Sequence, residues 1–235
     1  MYMRLLPLLL FLFVSFVGQG QVNQGVISAK LVVKKAHKGK LISVAADVAY
    51  STAERRMVAN YTSPDKFIMF VNEKGEVKVY YPTKNQVILN QNNLFSSNSD
   101  VFYFFLTQNE QDLGLRSIGY QLISSSSKGV ITETRWKAPE EMQSRISEVE
   151  MVYENFLPIY VAYLGPKKGI TNKTFYANYQ AVDNVMIPTR ITEYVYLSPT
   201  DSIVSRKDYL EVKTGKNASR SLLDFKIPAN AKVVK

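Results

Sequence analysis

Residues 26–50 read VISAKLVVKKA-HKGK-LISVAADVAY, and the alternation on either side of the central HKGK sets the fold class. In the second arm Ile42, Val44, Ala46, Val48 and Tyr50 fall on one side of the chain. A period of two gives a strand one apolar face and one wetter face. Gly39, inside His37-Lys38-Gly39-Lys40, suits a tight turn. The segment therefore predicts a β-hairpin.

The same rhythm runs outward from it. Strands are expected over 56–62, 67–72, 77–81 and 86–90, separated by Ser63-Pro64-Asp65, Glu73-Lys74-Gly75 and Pro82-Thr83-Lys84-Asn85. Each separator carries the Pro, Gly, Asp or Asn that turns favour. The rhythm breaks at Ser96-Ser97-Asn98-Ser99-Asp100, a source of N-cap side chains, followed by the apolar run 101–106. A short helix is expected near 99–108, with Phe102, Phe105 and Leu106 on one side and a further helical turn over 112–116. Strands resume over 120–126, 129–137, 145–153, 158–165, 170–181, 185–197 and 203–214. The expected fold is mainly β: a single strongly curved antiparallel sheet forming an incomplete barrel. It is laid out as one meander, with the helix as a lid on the concave side. A sheet of about a dozen strands curls rather than staying flat.

The chain starts Met1-Tyr2-Met3-Arg4 and continues through an apolar run of Leu, Phe and Val to Gly18-Gln19-Gly20. One cation, a short apolar stretch and small residues are the three parts of a cleavable secretory signal. Residues 1–20 are read as that signal and 21–235 as one domain, and the protein is expected in the periplasm. With no cysteine in the chain, the core must hold without disulfides. The 29 basic and 20 acidic residues give +9, and loss of Arg4 with the signal lowers this by one. For an exported protein the basic excess points to anionic lipid or acidic partners rather than nucleic acid.

A curled sheet whose strands alternate in this way encloses a packed core or an apolar cavity. The candidate cavity residues are Tyr50, Met57, Tyr61, Phe102, Phe105, Trp136 and Met151, large side chains on strand faces and on the lid helix. Alternate turns of a meander share one end of the sheet. The turns near Lys38, Pro64 and Lys84 then bring Lys38, Lys66 and Lys84 together as a basic rim for docking to a membrane or a partner, with Asp65 the one nearby acid. Nothing reads as catalytic. His37 is the single histidine, placed in a lysine-rich turn, where it has no triad partner. Clustered metal ligands and a Gly-rich phosphate loop are both missing, so neither metal nor cofactor is expected. Glu148 and Glu150 read as a solvated strand face.

One stretch resembles the LolA-like family of periplasmic lipoprotein carriers. It runs Arg56-Met57-Val58-Ala59-Asn60-Tyr61-Thr62-Ser63-Pro64-Asp65, then Asn72-Glu73-Lys74-Gly75, then Tyr80-Tyr81-Pro82. It is similar in its succession of aromatic strand, Pro-Asp turn, short strand, Gly turn and Tyr-Pro. Phe225-Lys226-Ile227-Pro228 resembles the exit of the family's last strand. The resemblance implies a half-barrel closed by short helices that carries lipid or lipoprotein acyl chains toward the outer membrane. Inner- or outer-membrane proteins would be its partners, and the carrier would be a monomer without enzymatic activity. The alternative is a non-transporting envelope sensor or binding module of the same fold. Two departures stand out. Residues 22–36 read as strand where the family has an amphipathic helix. The family's functional arginine has no counterpart in context, only Glu54-Arg55-Arg56.

Overall fold

The computed structural model describes residues 25–91, 101–107, 111–183 and 185–234. The expected signal over 1–20 and both ends of the expected 99–108 helix lie outside them. Fourteen strands form one curved sheet that does not close into a barrel. The first meander comprises β1 (Val26–His37), β2 (Lys40–Ser51), β3 (Arg56–Ser63), β4 (Phe67–Asn72), β5 (Glu76–Tyr81) and β6 (Gln86–Gln91). A six-residue helix, α1 (Val101–Leu106), follows. Residues 112–118 add turns and a short 3₁₀ segment rather than an α-helical turn.

The second meander comprises β7 (Gln121–Lys128), β8 (Ile131–Lys137), β9 (Glu148–Glu154), β10 (Leu157–Leu164), β11 (Ile170–Val182), β12 (Val185–Ser198) and β13 (Asp201–Thr214). A last strand, β14 (Lys232–Val234), is one that periodicity does not reveal.

The layout differs from a single meander. β6 and β7 do not pair. Instead β1 pairs antiparallel with β13, and β14 adds parallel to β6. The free edges are therefore β14 and β7. β1 explains the choice. Ile27, Ala29, Leu31 and Val33 alternate along it and enter the cluster around α1, while Ser28 and Lys30 occupy its other face. Its buried side is therefore continuous with those of β2 and β13.

Each face has its own cover. Side chains from seven neighbouring strands, β4 round to β11, gather with α1 in one cluster. Laid flat, those strands would span about 29 Å at ~4.8 Å per spacing, so this face curves around a helix of six residues. It is the concave face. Phe102 lies 4.7 Å from the Tyr209 ring, and Phe105 6.0 Å from that of Tyr179.

On the convex side, residues 218–231 cross β2 to β6. They bury Leu223 against Val58, Ile68, Tyr80 and Val87. Phe225 sits 6.1 Å from both Phe70 and Tyr80. Arg56 Nη2 donates to the Leu223 carbonyl, and Glu54 accepts from Arg56 and from Arg220. The Glu54-Arg55-Arg56 turn thus holds the crossing segment in place. Among the described residues no helix is long and apolar enough to cross a membrane.

Two outcomes follow. Leu223→Ala should lower unfolding free energy by about 2–5 kcal/mol, the range for emptying a buried leucine site, and should open residues 218–231 to proteolysis first. Urea melts and limited proteolysis check both. The second outcome concerns acid. Burial pushes the Glu54 carboxyl up, but hydrogen bonds and charges from Arg220 and Arg56 outweigh it and hold the group below its ordinary 4.5. A carboxyl lowered on folding adds stability above its unfolded value and loses it as pH falls through the folded one. Glu54→Gln should therefore be less stable than wild type at about pH 6, with the difference shrinking toward about pH 3. Urea midpoints across that range test it.

Candidate functional site

The concave face divides into a filled centre and two open margins. Tyr50, Met57, Tyr61, Phe102 and Phe105 all belong to the cluster around α1. Tyr50, Phe102 and Phe105 are fully buried. Trp136 and Met151 lie in a second cluster, with Leu115, Tyr120, Val149, Tyr153 and Val161. The seven predicted residues therefore share one face but not one space, and most of them meet other side chains rather than a void. The reason is α1 itself, whose phenylalanines occupy the volume that Tyr50 and Ala46 would otherwise line.

The first margin lies over β7 to β9. Segment 111–116 bridges this part of the face and leaves a cleft of about 580 Å³ beneath it. Leu122, Trp136, Tyr153 and Phe156 supply its apolar wall, with Thr132 and Thr134 between them. Period-two spacing places them: Trp136 and Thr134 of β8 stand opposite Val149 and Met151 of β9, and Leu122 of β7 opposite Trp136.

Polar contacts hold the bridge. The Tyr153 hydroxyl donates to the Gln111 carbonyl. Arg116 lies 5.1 Å over the Trp136 ring and 3.3 Å from Asp112. Trp136 Nε1 donates to Thr134 Oγ1 at 3.0 Å. Burial pushes the Tyr153 phenol up to about 12, and the Tyr163 phenol likewise, while Tyr176 is raised by burial as well. Of the three, Tyr153 lines the cleft. A smaller recess of about 180 Å³ lies beside α1, between Val101, Phe104 and Tyr176 and the polar pair Glu193 and Lys207.

The second margin is a ledge on β2 to β5. Tyr61 stacks on Phe67 at 4.4 Å, and Phe67 lies 5.8 Å from Tyr81. Ile42 and Val44 continue the same face along β2, since Ala46 stands opposite Tyr61. Past this ledge come the turns carrying Lys38, Lys66 and Lys84, which the register puts at one end of the sheet. The β12–β13 turn lies at that end too. It delivers Asp201, whose Oδ1 is 3.1 Å from His37 Nε2 and whose Oδ2 is 3.4 Å from Lys38. Two expectations are corrected there. His37 ends a strand, half-buried against a carboxylate, and Asp65 is not the only acid nearby.

Sequence reasoning found Trp136 but missed Leu122, Tyr153, Phe156 and the 111–116 bridge. Tyr153 carried a signal, standing two residues from Met151 on the same face. Phe156 lies in a turn, where alternation says nothing. Glu148 and Glu150, on the convex side of β9, pair with Lys168 and Arg135. Among the described residues no group of His, Cys, Asp and Glu could hold a metal ion.

No protein-family model matches the sequence, and no curated protein matches it. Solved structures do match the fold. A LolA superfamily protein from Nitrosomonas europaea aligns at TM-score 0.54 and 14% identity over 81% of this chain and 86% of its own. A domain described as outer membrane lipoprotein-sorting, from Vibrio parahaemolyticus, aligns at 0.58 and 8% identity over 86% and 90%. A DUF1329 family protein from Desulfovibrio piger aligns at 0.55 and 13% identity, again over 86% and 90%. The chain has a LolA-like fold.

Proposed function

We propose that the mature chain is a carrier in the cell envelope that shields an acyl chain, of a lipid or of a lipoprotein, on its concave face. The observation that supports this is the cleft of about 580 Å³ beneath the 111–116 bridge, a size within the ~300–1,000 Å³ usual for ligand sites. Its apolar wall of Leu122, Trp136, Tyr153 and Phe156 suits a hydrocarbon. Acyl transfer between membranes breaks no covalent bond, so a carrier needs a dry recess and no catalytic group. Ten buried methylenes at about 0.8 kcal/mol each would give about 8 kcal/mol gross, which corresponds to a micromolar Kd before ordering costs. That affinity is tight enough to hold a chain and loose enough to release it.

The LolA-like fold of the Nitrosomonas protein and of the lipoprotein-sorting domain supports the same reading. Export to the periplasm and hand-over between inner- and outer-membrane proteins belong to this proposal. A second reading has its own support. The solid core under α1, with Tyr50, Phe102 and Phe105 fully buried, suits a sensor or binding module that engages a membrane partner and transports nothing.

Trp136 is the single tryptophan of the chain and stands in the cleft wall, so its emission reports occupancy. A brominated fatty acid should quench it saturably. Leu122→Asp and Phe156→Asp should weaken binding about tenfold or more, since a carboxylate in the hydrocarbon path must be desolvated. Both side chains are exposed, so thermal stability should hold. Absence of quenching, or unchanged affinity in both variants, would remove the carrier reading and leave the binding module.

A further inference from the structure

We propose that the end of the sheet carrying the 38–39, 64–66, 82–85 and 199–200 turns is a surface that docks on an anionic lipid bilayer. This is argued from charge and exposure at the strand ends, independently of what the cleft holds.

The first observation is the charge. Register brings Lys38, Lys40, Lys66 and Lys84 to one end, and all four are exposed. The β10–β11 connection adds Lys167 at the same end, because β11 starts opposite the last turns of β12. Lys168 is bound to Glu148 and is not counted. The acids within this footprint are Asp65 and Asp201, and Asp201 is shared between His37 and Lys38. At the opposite end Arg55, Arg56 and Arg220 pair with Glu73 and Glu54, while Lys74, Lys128 and Lys216 stand there on separate turns far apart in the strand order. Further round the docking end, the 138–147 connection is mixed, with Glu140 and Glu141 against Arg145, and it lies outside the footprint.

The second observation is the apolar surface among those lysines. Leu41 is 67% exposed, Ile42 58%, Leu197 55% and Ile170 41%. All four stand at strand ends beside the same turns, two at the start of β2, one at the end of β12 and one at the start of β11.

Their arrangement selects the occupant. These side chains sit on separate hairpin tips spread along about 34 Å of the sheet's arc, from β5 round to β11 at ~4.8 Å per strand spacing, so a folded protein would have to match scattered points. A bilayer does so without matching anything: its anionic head groups present a laterally averaged potential, and its interface accepts isolated apolar tips. Lysine stems also extend across such an interface while their ammonium groups remain at head-group level.

The test is flotation of the whole mature chain with vesicles of phosphatidylglycerol and phosphatidylcholine at about 3:7, against phosphatidylcholine alone, at low and high salt. Binding should need the anionic lipid and fall as salt rises. Lys38→Glu, Lys66→Glu and Lys84→Glu together should weaken it about a hundredfold, at about fivefold per lysine. Leu41→Ser with Leu197→Ser should weaken it about tenfold without any change of charge. The control, Lys74→Glu with Lys128→Glu and Lys216→Glu, makes the same change in net charge at the opposite end and should leave most of the binding in place. Thermal melts confirm folding, since every altered side chain is exposed. Three results would overturn the proposal: no vesicle binding, equal binding to neutral vesicles, or equal loss in the control. A protein that docks here but fails to quench with a brominated acyl chain keeps this surface and loses the carrier reading.

Discussion

The structure depends on β1 being paired along both edges. β2 lies on one side and β13 on the other, so this strand joins two meanders that are otherwise separate in the chain. Ile27, Ala29 and Leu31 share its concave face and pack in the cluster around α1, which the strands on both sides complete. Once β1 is central, the other positions follow. β6 and β7 become the far flanks, and the chain between them must cross the hollow of the sheet. That crossing carries α1, which explains why so short a helix lies at the centre of the largest cluster. The helix is held by the phenylalanines it inserts and contributes little by its own propensity, since isolated helices of this length are not stable in water.

Cover is applied unevenly, and function follows that unevenness. The convex side is sealed over the first meander by residues 218–231, held by the Glu54, Arg56 and Arg220 network. The concave side is sealed only at its middle. What remains open there is an aromatic ledge on β2 to β5 and the cleft near the free edge β7. Arg56, next to the aromatic strand β3, serves as a clasp for the C-terminal crossing.

How much of this could be read from the residues depends on distance along the chain. Hairpins such as 38–39 and 73–75 are local events, written by Gly39 and by Asn72-Glu73-Lys74-Gly75, and they read directly. The β1–β13 pairing is not local and leaves no trace in the spacing: Ile27, Ala29 and Leu31 alternate with Ser28 and Lys30, the pattern of any half-buried strand. β14 has three residues and no pattern of its own, and β6 determines its place. Among the candidate site residues, alternation told which face Tyr50 and Met57 occupy, and that was correct. It could not tell what lies above them, because that depends on where α1 lands. The His37–Asp201 contact joins residues 164 positions apart, beyond the reach of any spacing rule.

The C-terminal crossing also sets the order in which the molecule can be completed. Val58, Ile68, Tyr80 and Val87 belong to the first meander, yet their cover, Leu223 and Phe225, comes from the last few residues of the chain. β1 likewise waits for β13. A chain delivered from its N-terminus therefore emerges with a finished hairpin whose centre edge and outer face are both bare. Long-range pairing of this kind is slow, and bare strand edges attract one another. The early half must be kept apart from its neighbours until the late half arrives. Residues 218–231 therefore close the first meander last, and their loss would bare the outer face of β3 to β6.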